Sequence, residues 1–447
     1  MSLTRSEFGN DFNWGVSTAA YQIEGGHNAD GKGLSIWDVF SRKKRKIYGG
    51  HHGETACDFY SRYPSDIALM KEMHIPNFRF SISWSRIFPN GIGSHNPAGL
   101  DFYDRLIDEC LENDICPWVT LYHWDLPLFL ENKGGWNNRD IVQWFEYYVE
   151  FCGRRFGDRV RRWMILNEPM VFTGAGYFLG VHAPGKKGLN SFLSAAHHAA
   201  LCQAAGGRIL KAVDPGFFVG TTFSYSHIEP FRPLERDRLA ARKADALLNR
   251  FFLEPLLGLG YPTGDLKILR EIEKYFKPGD EERLVFHPDF VGLQNYTREL
   301  VRYALLMPFL KVKIIKAGKR KVEKTQMDWE VYPPAIYEAL LRLGRYEKIP
   351  QIIVTENGAA FEDLMINGSI EDPKRMNYLR DHLREVLRAK KDGAPVKGYF
   401  VWTFMDNFEW AEGYYPKFGL VHVDFKTQER LVKASGKWYA RFLDDGS

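Results

Sequence analysis

The stretch "WMILNEPM", Trp163 to Met170, runs through bulky apolar residues and breaks off at Asn167, Glu168 and Pro169. A short apolar run reads as a buried strand, and proline ends it by removing a backbone donor and fixing φ. Glu168 therefore falls at the strand's C-terminal tip, where parallel α/β proteins gather ligands. Taken alone, N-E-P is better read as a solvated loop that merely follows a strand. What stands at the ends of the other strands decides between the two.

Seven further runs rich in β-branched and aromatic residues share this character: "FNWGVST" (12–18), "HIPNFRFSIS" (74–83), "CPWVTLY" (116–122), "FFVGTTFS" (217–224), "DFVGLQNY" (289–296), "QIIVTE" (351–356) and "VKGYFVWTF" (396–404). Between them lie stretches with apolar positions at helical spacing, over 61–73, 99–113, 139–156, 191–213, 333–345 and 373–391. Eight strands alternating with helices predict a parallel sheet, and eightfold repetition of that unit predicts closure, so the fold class is α/β, a (β/α)8 TIM barrel. A doubly wound open sheet would need a glycine-rich phosphate turn after an early strand, and "GVSTAAYQIEGG" does not supply one. No Gly/Ser-rich or Pro-rich linker divides the chain, so residues 1–447 are expected to form a single domain. A barrel uses roughly 250 residues, which leaves about 200 for long βα loops.

Composition narrows the function classes. Net charge is +4, from 60 basic and 56 acidic residues, so no global field favours nucleic acid. The runs "RKKRK" (42–46) and 311–324 are expected to be solvated loops. Cys57, Cys110, Cys116, Cys152 and Cys202 are odd in number and unclustered, which suits reduced core fillers and neither a zinc site nor a disulfide framework. The start "MSLTRSEFGNDF" lacks an apolar signal core and no apolar run is long enough to span a bilayer, so a cytoplasmic protein without stable membrane insertion is expected. Oligomeric state is not legible.

At the strand ends stand Gln22, Arg79, His123 with Trp124, Asn167 with Glu168, Gln294 with Tyr296, Glu356 with Asn357, and Trp402, followed in the next loop by Glu409 and Trp410. The fifth strand contributes little that is legible. In a barrel these tips converge on one mouth. Two carboxylates there, driven to different pKa values, are what glycosidic bond cleavage requires. Arg79 and the Tyr296 hydroxyl are expected to favour the ionised form of Glu356, whereas Glu168 has no evident cationic partner and holds the proton. Gln22, His123, Asn167, Glu409, Trp402 and Trp410 offer donors, acceptors and flat apolar faces suited to a polyhydroxylated ring. A metal-dependent hydrolase using His51, His52, His123 and Asp125 is a rival without a tight ligand motif.

The same segments resemble a known family. "FNWGVSTAAYQIEGG" (12–26), "ILNEP" (165–169), "VTENG" (354–358) and "WTFMDNFEWAEGYYPKFGLVHVDF" (402–425) are similar to the signatures of family 1 glycoside hydrolases, the β-glucosidase group, over essentially the whole chain. The resemblance implies a retaining, cofactor-independent and metal-independent β-glycosidase. Glu356 would be its nucleophile and Glu168 its acid/base, with Arg79 and Tyr296 orienting Glu356. It implies substrate contacts from Gln22, His123, Trp124, Asn167, Gln294, Trp402, Glu409, Trp410 and Phe418, and a leaving-group platform at Trp329. Its partners would be small β-glycosides or β-linked oligosaccharides with terminal β-glucosyl, β-galactosyl or β-fucosyl units. Retention would require carboxyl groups about 5 to 5.5 Å apart, against more than roughly 6.5 Å for inversion.

Departures from the family pattern are Ile165 where Thr is usual, Gln294 for Asn and Lys417 for Arg. The branch acting on 6-phosphorylated sugars carries Ser at the place of Glu409 and Lys at that of Pro416, so an acidic Glu409 implies unphosphorylated sugars. Glu168, where thioglucosidases carry Gln, implies O-glycosides. A transglycosylating enzyme and a catalytically silent sugar-binding barrel are the alternatives. The segment 303–320, "YALLMPFLKVKIIKAGKR", is expected to be a lid packed on the barrel rim, with an apolar wall for hydrophobic leaving groups or a weak membrane-surface contact as sharper readings.

Overall fold

The computed structural model describes residues 3–444, so Met1, Ser2 and 445–447 of the expected 1–447 domain lie outside the described residues. Each of the eight apolar runs is a strand: β1 Asn13–Ser17, β2 Asn77–Ser81, β3 Cys116–Tyr122, β4 Arg162–Asn167, β5 Phe218–Ser224, β6 Phe290–Gln294, β7 Ile352–Asn357 and β8 Val396–Trp402. All neighbours pair in parallel, and β1 on β8 closes the ring through Asn13 opposite Gly398 to Ser17 opposite Trp402. Near-continuous burial, complete in β2, β6 and β7, explains why the runs lack polar alternation: one face fills the barrel and the other meets the helices.

The longer helices are α1 Phe59–Glu72, α2 Pro97–Glu112, α3 Ile141–Phe156, α4 Leu189–Val213, α5 Glu235–Asp245, α6 Pro334–Leu343, α7 Pro373–Lys391 and α8 Ala434–Asp444. Each of the six helical spans read from the sequence is met within two residues at both ends. In α3, Val142, Phe145, Val149, Cys152 and Phe156 recur at helical spacing and are buried, so this stripe docks the helix on its neighbours. Among the described residues no helix is long and apolar enough to cross a membrane.

Trp118, Met164, Phe290, Ile353 and Phe400 form a plug inside the barrel. Bulk is balanced by absence: a Cβ on Gly220 would stand 2.6 Å from the Phe290 ring, so only glycine lets that ring fill the interior. The plug makes the barrel a packed core, not a pore, and leaves the C-terminal mouth for a site. Just before that mouth the register slips: β4 on β5 between Met164 and Asn167, and β7 on β6 between Val354 and Glu356. Such irregularities re-aim side chains at strand ends.

Outside the barrel, Arg298–Tyr303 and Val312–Ile314 form an antiparallel hairpin, extended by His227–Pro230 and packed on α5. This corrects the expectation for 303–320. Its base packs on the rim, but its tip does not: Leu306 is 95% exposed, with Leu305, Met307 and Phe309 also exposed. The five cysteines are free, and four are fully buried.

Candidate active site

The β4 and β7 tips bring Glu168 and Glu356 to one cavity of about 250 Å3, lined also by His123, Trp124, Ser224, Tyr296, Trp329, Trp402, Glu409, Trp410 and Phe418. Gln22, Arg79, Asn167 and Gln294 lie behind this lining, hydrogen-bonded to residues that form it or to one another. All fourteen site residues read from the sequence thus converge.

Glu356 is held by three donors. Arg79 Nη1 pairs with Oε1, Gln294 Nε2 donates to the same oxygen at 2.8 Å, and the Tyr296 hydroxyl donates to Oε2 at 2.5 Å. The Arg79 guanidinium is fully buried and pinned on its other arm, Nη2 donating to Asn167 Oδ1 at 2.5 Å. Because a guanidinium only donates, that contact fixes the Asn167 amide orientation. The Asn167 Nδ2 then donates to His123 Nε2 at 2.9 Å, which leaves the His123 proton on Nδ1. Burial, with Arg79 nearby, holds the His123 pKa well below its ordinary value, so the ring is neutral. Among the described residues Nδ1 has no partner, so it can donate to a hydroxyl.

Glu168 is held differently. It follows β4 at φ 47°, in the left-handed region that disfavours a side chain, with Pro169 opening a short helix behind it. Trp124 and Trp410 share this conformation at φ 79° and 47°, so three lining residues store backbone strain. The side-chain hydrogen bond at Glu168 is with Ser224. Burial first, and then the Glu356 charge, push its pKa well above the ordinary carboxylate value, with Arg79 and Ser224 opposing. Burial also raises Glu356, against Arg79 and Tyr296. The guanidinium thus limits a rise without reversing it. The pair shares a proton that resides on Glu168, the member with fewer donors.

Glu409 differs from expectation. Burial and the Glu356 charge raise it to about 8, although Gln22 and Trp402 donate to it, so it is largely protonated at neutral pH. Charge repulsion by Glu409 is therefore a weaker barrier to phosphate than the sequence suggested. The lining has no lysine or arginine and carries Glu168, Glu356, Glu409 and Glu412. Gln22 is fixed by Nε2 donating to Phe408 O at 2.9 Å and Asn407 Oδ1 at 3.2 Å, and its Oε1 is left unpartnered.

Aromatic walls complete the cavity. Trp124 and Trp410 pack with centroids 4.6 Å apart on one side; Trp329 lies 5.2 Å from Tyr296 and 6.2 Å from Phe418 on the other. Three further residues contribute that the sequence does not single out. Thr222 donates to Asn167 Oδ1 at 3.0 Å, Ser224 bonds Glu168, and neutral His182, lowered to about 4 by burial, lines the cavity. The fifth strand, expected to contribute little, supplies two of them. The replacement of Asn by Gln at 294 is accommodated: its amide spans Asn167 at 2.7 Å and Glu356 at once.

His51, His52, His123 and Asp125 are not assembled. Among the described residues, the group with metal-ligand geometry is Asp363, Asp406 and His422, and Lys433 Nζ lies 2.9 and 2.8 Å from the two aspartates, so an ammonium already neutralises it.

Comparison with known proteins agrees with this geometry. Residues 4–446 match the profile of glycosyl hydrolase family 1. The chain is 44% identical to β-glucosidase A of Acetivibrio thermocellus over 99% of both chains, and 41% identical to β-glucosidase A of Thermotoga maritima over 98% of both. Among solved structures, the family 1 β-glucosidase of Thermotoga maritima superposes with a TM-score of 0.94 at 41% identity, covering 98% of each chain. The same enzyme in complex with glucoimidazole gives 0.92 at 40% identity, again covering 98% of each. The chain belongs to glycosyl hydrolase family 1.

Proposed function

We infer that the chain hydrolyses terminal β-D-glucosides, with Glu356 as nucleophile and Glu168 as acid and then base. The protein is a β-glucosidase-type O-glycoside hydrolase. The observation that carries the residue roles is the unequal hydrogen bonding of the two carboxylates: three donors on Glu356 against Ser224 on Glu168.

Glu356 attacks the anomeric carbon as Glu168 gives its proton to the departing oxygen, which leaves a covalent glycosyl-enzyme and an ionised Glu168. That carboxylate takes a proton from water, the water oxygen bonds the anomeric carbon, and the sugar leaves with retained configuration. His123 Nδ1, Gln22 Oε1 and Glu409 are unpaired or protonated groups that fit sugar hydroxyls, while Trp402 and Trp410 supply its apolar face. Nothing in this donor set separates an equatorial from an axial 4-hydroxyl, so galactosides and fucosides are expected substrates too. Transglycosylation shares the intermediate and differs only in the acceptor.

Hydrolysis of 4-nitrophenyl β-D-glucopyranoside, with the first-formed anomer followed by NMR, tests this proposal. Release of the β-anomer by the wild type and none by Glu356→Ala is the expected result. First-formed α-anomer excludes retention, and no turnover of any β-glycoside leaves a sugar-binding barrel.

A further inference from the structure

The two basic runs of the sequence, 42–46 and 311–324, are joined on one face by a third segment. The Lys46 ammonium donates to Gly180 O at 3.0 Å and the Lys43 ammonium to Pro184 O at 3.4 Å, which fastens the first run to the loop between β4 and α4. Phe178, which leads into that loop, has its ring 6.4 Å from Phe309 at the hairpin tip. Both loops follow C-terminal ends of barrel strands, and His182 of the first lines the active-site cavity, so this face lies beside the mouth. We propose that it docks reversibly on an anionic lipid bilayer, the hairpin tip entering the headgroup layer while the basic segments meet lipid phosphates. The proposal goes beyond the glycosidase reading and does not depend on it.

The apolar part of the face is built, not frayed. Leu306 is almost fully exposed beside Leu305, Met307 and Phe309, and across the Phe178 contact Leu179 and Val181 are exposed as well. A single exposed leucine is ordinary, but two adjoining loops that both turn apolar side chains outward form a patch. The tip is closed behind them: Ala304 N donates to Lys311 O at 2.9 Å, Lys311 N donates to Met307 O at 3.2 Å, and Leu310 packs inward on the core. A turn held in this way presents its leucines to water instead of folding them under.

Charge selects the occupant. None of the segments 42–53, 178–189 and 303–322 contains an aspartate or glutamate, although net charge over the whole chain is only +4. Arg42, Lys186 and Arg320 are paired, with Glu54, Glu131 and Glu330. Lys44, Arg45, Lys187, Lys311 and Lys319 are exposed and, among the described residues, in no ion pair. Apolar tips ringed by unpaired cations match a surface that offers both hydrocarbon and negative charge, which an anionic bilayer does. A nucleic acid would use the cations and leave the leucines in water. A second copy of the chain, meeting this face with its own in a two-fold contact, would set like charges against each other.

The experiment is co-sedimentation of the full chain with large unilamellar vesicles of phosphatidylcholine, with and without about a third phosphatidylserine. At low salt the wild type should bind the anionic vesicles at least about tenfold more tightly than the neutral ones, and in about 1 M salt, where the Debye length falls to about 3 Å, that preference should vanish. Leu305→Ser with Leu306→Ser should weaken binding to anionic vesicles about tenfold or more, since two leucine side chains no longer leave water. Lys44→Gln with Arg45→Gln should weaken it about tenfold, each cation near an anionic surface being worth up to about fivefold. These side chains are exposed, so turnover of the nitrophenyl glucoside should stay at the wild-type rate in both double variants and shows that they are folded. No vesicle binding by the wild type, equal binding to both lipids, or wild-type affinity in either double variant would overturn the proposal. Heparin binding tells the source of any salt-sensitive signal: if the leucine variant matches the wild type on heparin and on vesicles alike, the face is a polyanion or acidic-protein site and not a bilayer site. Self-association of the wild type in sedimentation velocity without vesicles, lost in the leucine variant, would name a second copy as the occupant and overturn it too.

Discussion

Glu168 and Glu356 are the same residue type, both at strand ends, both buried, both facing one cavity. They differ in their surroundings. β7 presents Glu356 to a guanidinium, an amide and a phenol, whereas the turn after β4 presents Glu168 to Ser224 and to its negative neighbour. One fold thus makes an anion of one carboxyl and an acid of the other by placing donors, not by changing chemistry. The difference also lies in the partners' rigidity, since Arg79 is clamped between Glu356 and Asn167.

The largest test of this contrast removes each carboxyl in turn. Glu356→Ala should lower kcat by about 10^4-fold or more whatever the leaving group, because no other group here can form the intermediate. Glu168→Ala should instead cost about 10^2 to 10^4-fold on cellobiose, the range of general acid catalysis, while sparing formation of the intermediate from a dinitrophenyl glucoside whose leaving group needs no proton. Steady-state and burst kinetics with both substrates measure the split. Equal losses on both in Glu168→Ala would erase the contrast.

A smaller change sharpens it. Tyr296→Phe deletes the 2.5 Å hydrogen bond to Glu356 Oε2, a bond to a charged acceptor, and should lower kcat/KM by about 10 to 100-fold. The hydroxyl stabilises the ionised carboxylate, so its loss raises the Glu356 pKa. The acidic limb of the kcat/KM profile therefore moves to higher pH. A limb that stays in place would mean the phenol serves only packing.

Thr222→Val acts one step further away. Thr222 donates to Asn167 Oδ1 and accepts from Gln294 at 3.3 Å, so the methyl analogue removes a neutral hydrogen bond behind the Glu356 cluster. A two- to tenfold loss in kcat/KM is expected, about the worth of one such bond, with no change in thermal unfolding beyond a few degrees. Activity assays and calorimetry on the same preparation check both.

Thr222 also marks the limit of what the sequence discloses. All eight strands are legible because each is an apolar run that stops at a polar or turn residue, and the convergence of Arg79, Glu168, Tyr296, Glu356 and Glu409 follows once the barrel is closed. At the β5 tip, however, Thr222 and Ser224 are the β-branched and small residues any strand carries, and only three-dimensional pairing to Asn167 and Glu168 gives them a role. Protonation of Glu409 is hidden for a related reason: it depends on burial among residues hundreds of positions away. The hairpin tip is not legible because an apolar run in sequence carries no sign of which side faces water, and Leu306 faces it almost fully.

The third carboxylate of the site, Glu409, rides on a loop, and that loop needs an anchor the strands do not need. Asp406, three residues earlier, accepts from Gly419 N at 2.9 Å and meets Lys433 and His422, while Asp363 joins from the loop after β7. The two aspartates raise the His422 pKa to about 9, above its unfolded value near 6.5. A group raised on folding contributes stability that is complete below the unfolded pKa and is lost as pH rises through the folded one. The anchor should thus be fully in force below about pH 6 and weaken progressively up to pH 9. Because His422 is partly open to solvent, the effect should be the smallest of the series, a shift of a few degrees in Tm between pH 6 and pH 9. His422→Gln should flatten that difference while leaving the acidic limb of kcat/KM, set by Glu356, where it was. If the variant retains the wild-type pH dependence of Tm, the loop is held by Lys433 with the aspartates alone, and the imidazole is a spectator.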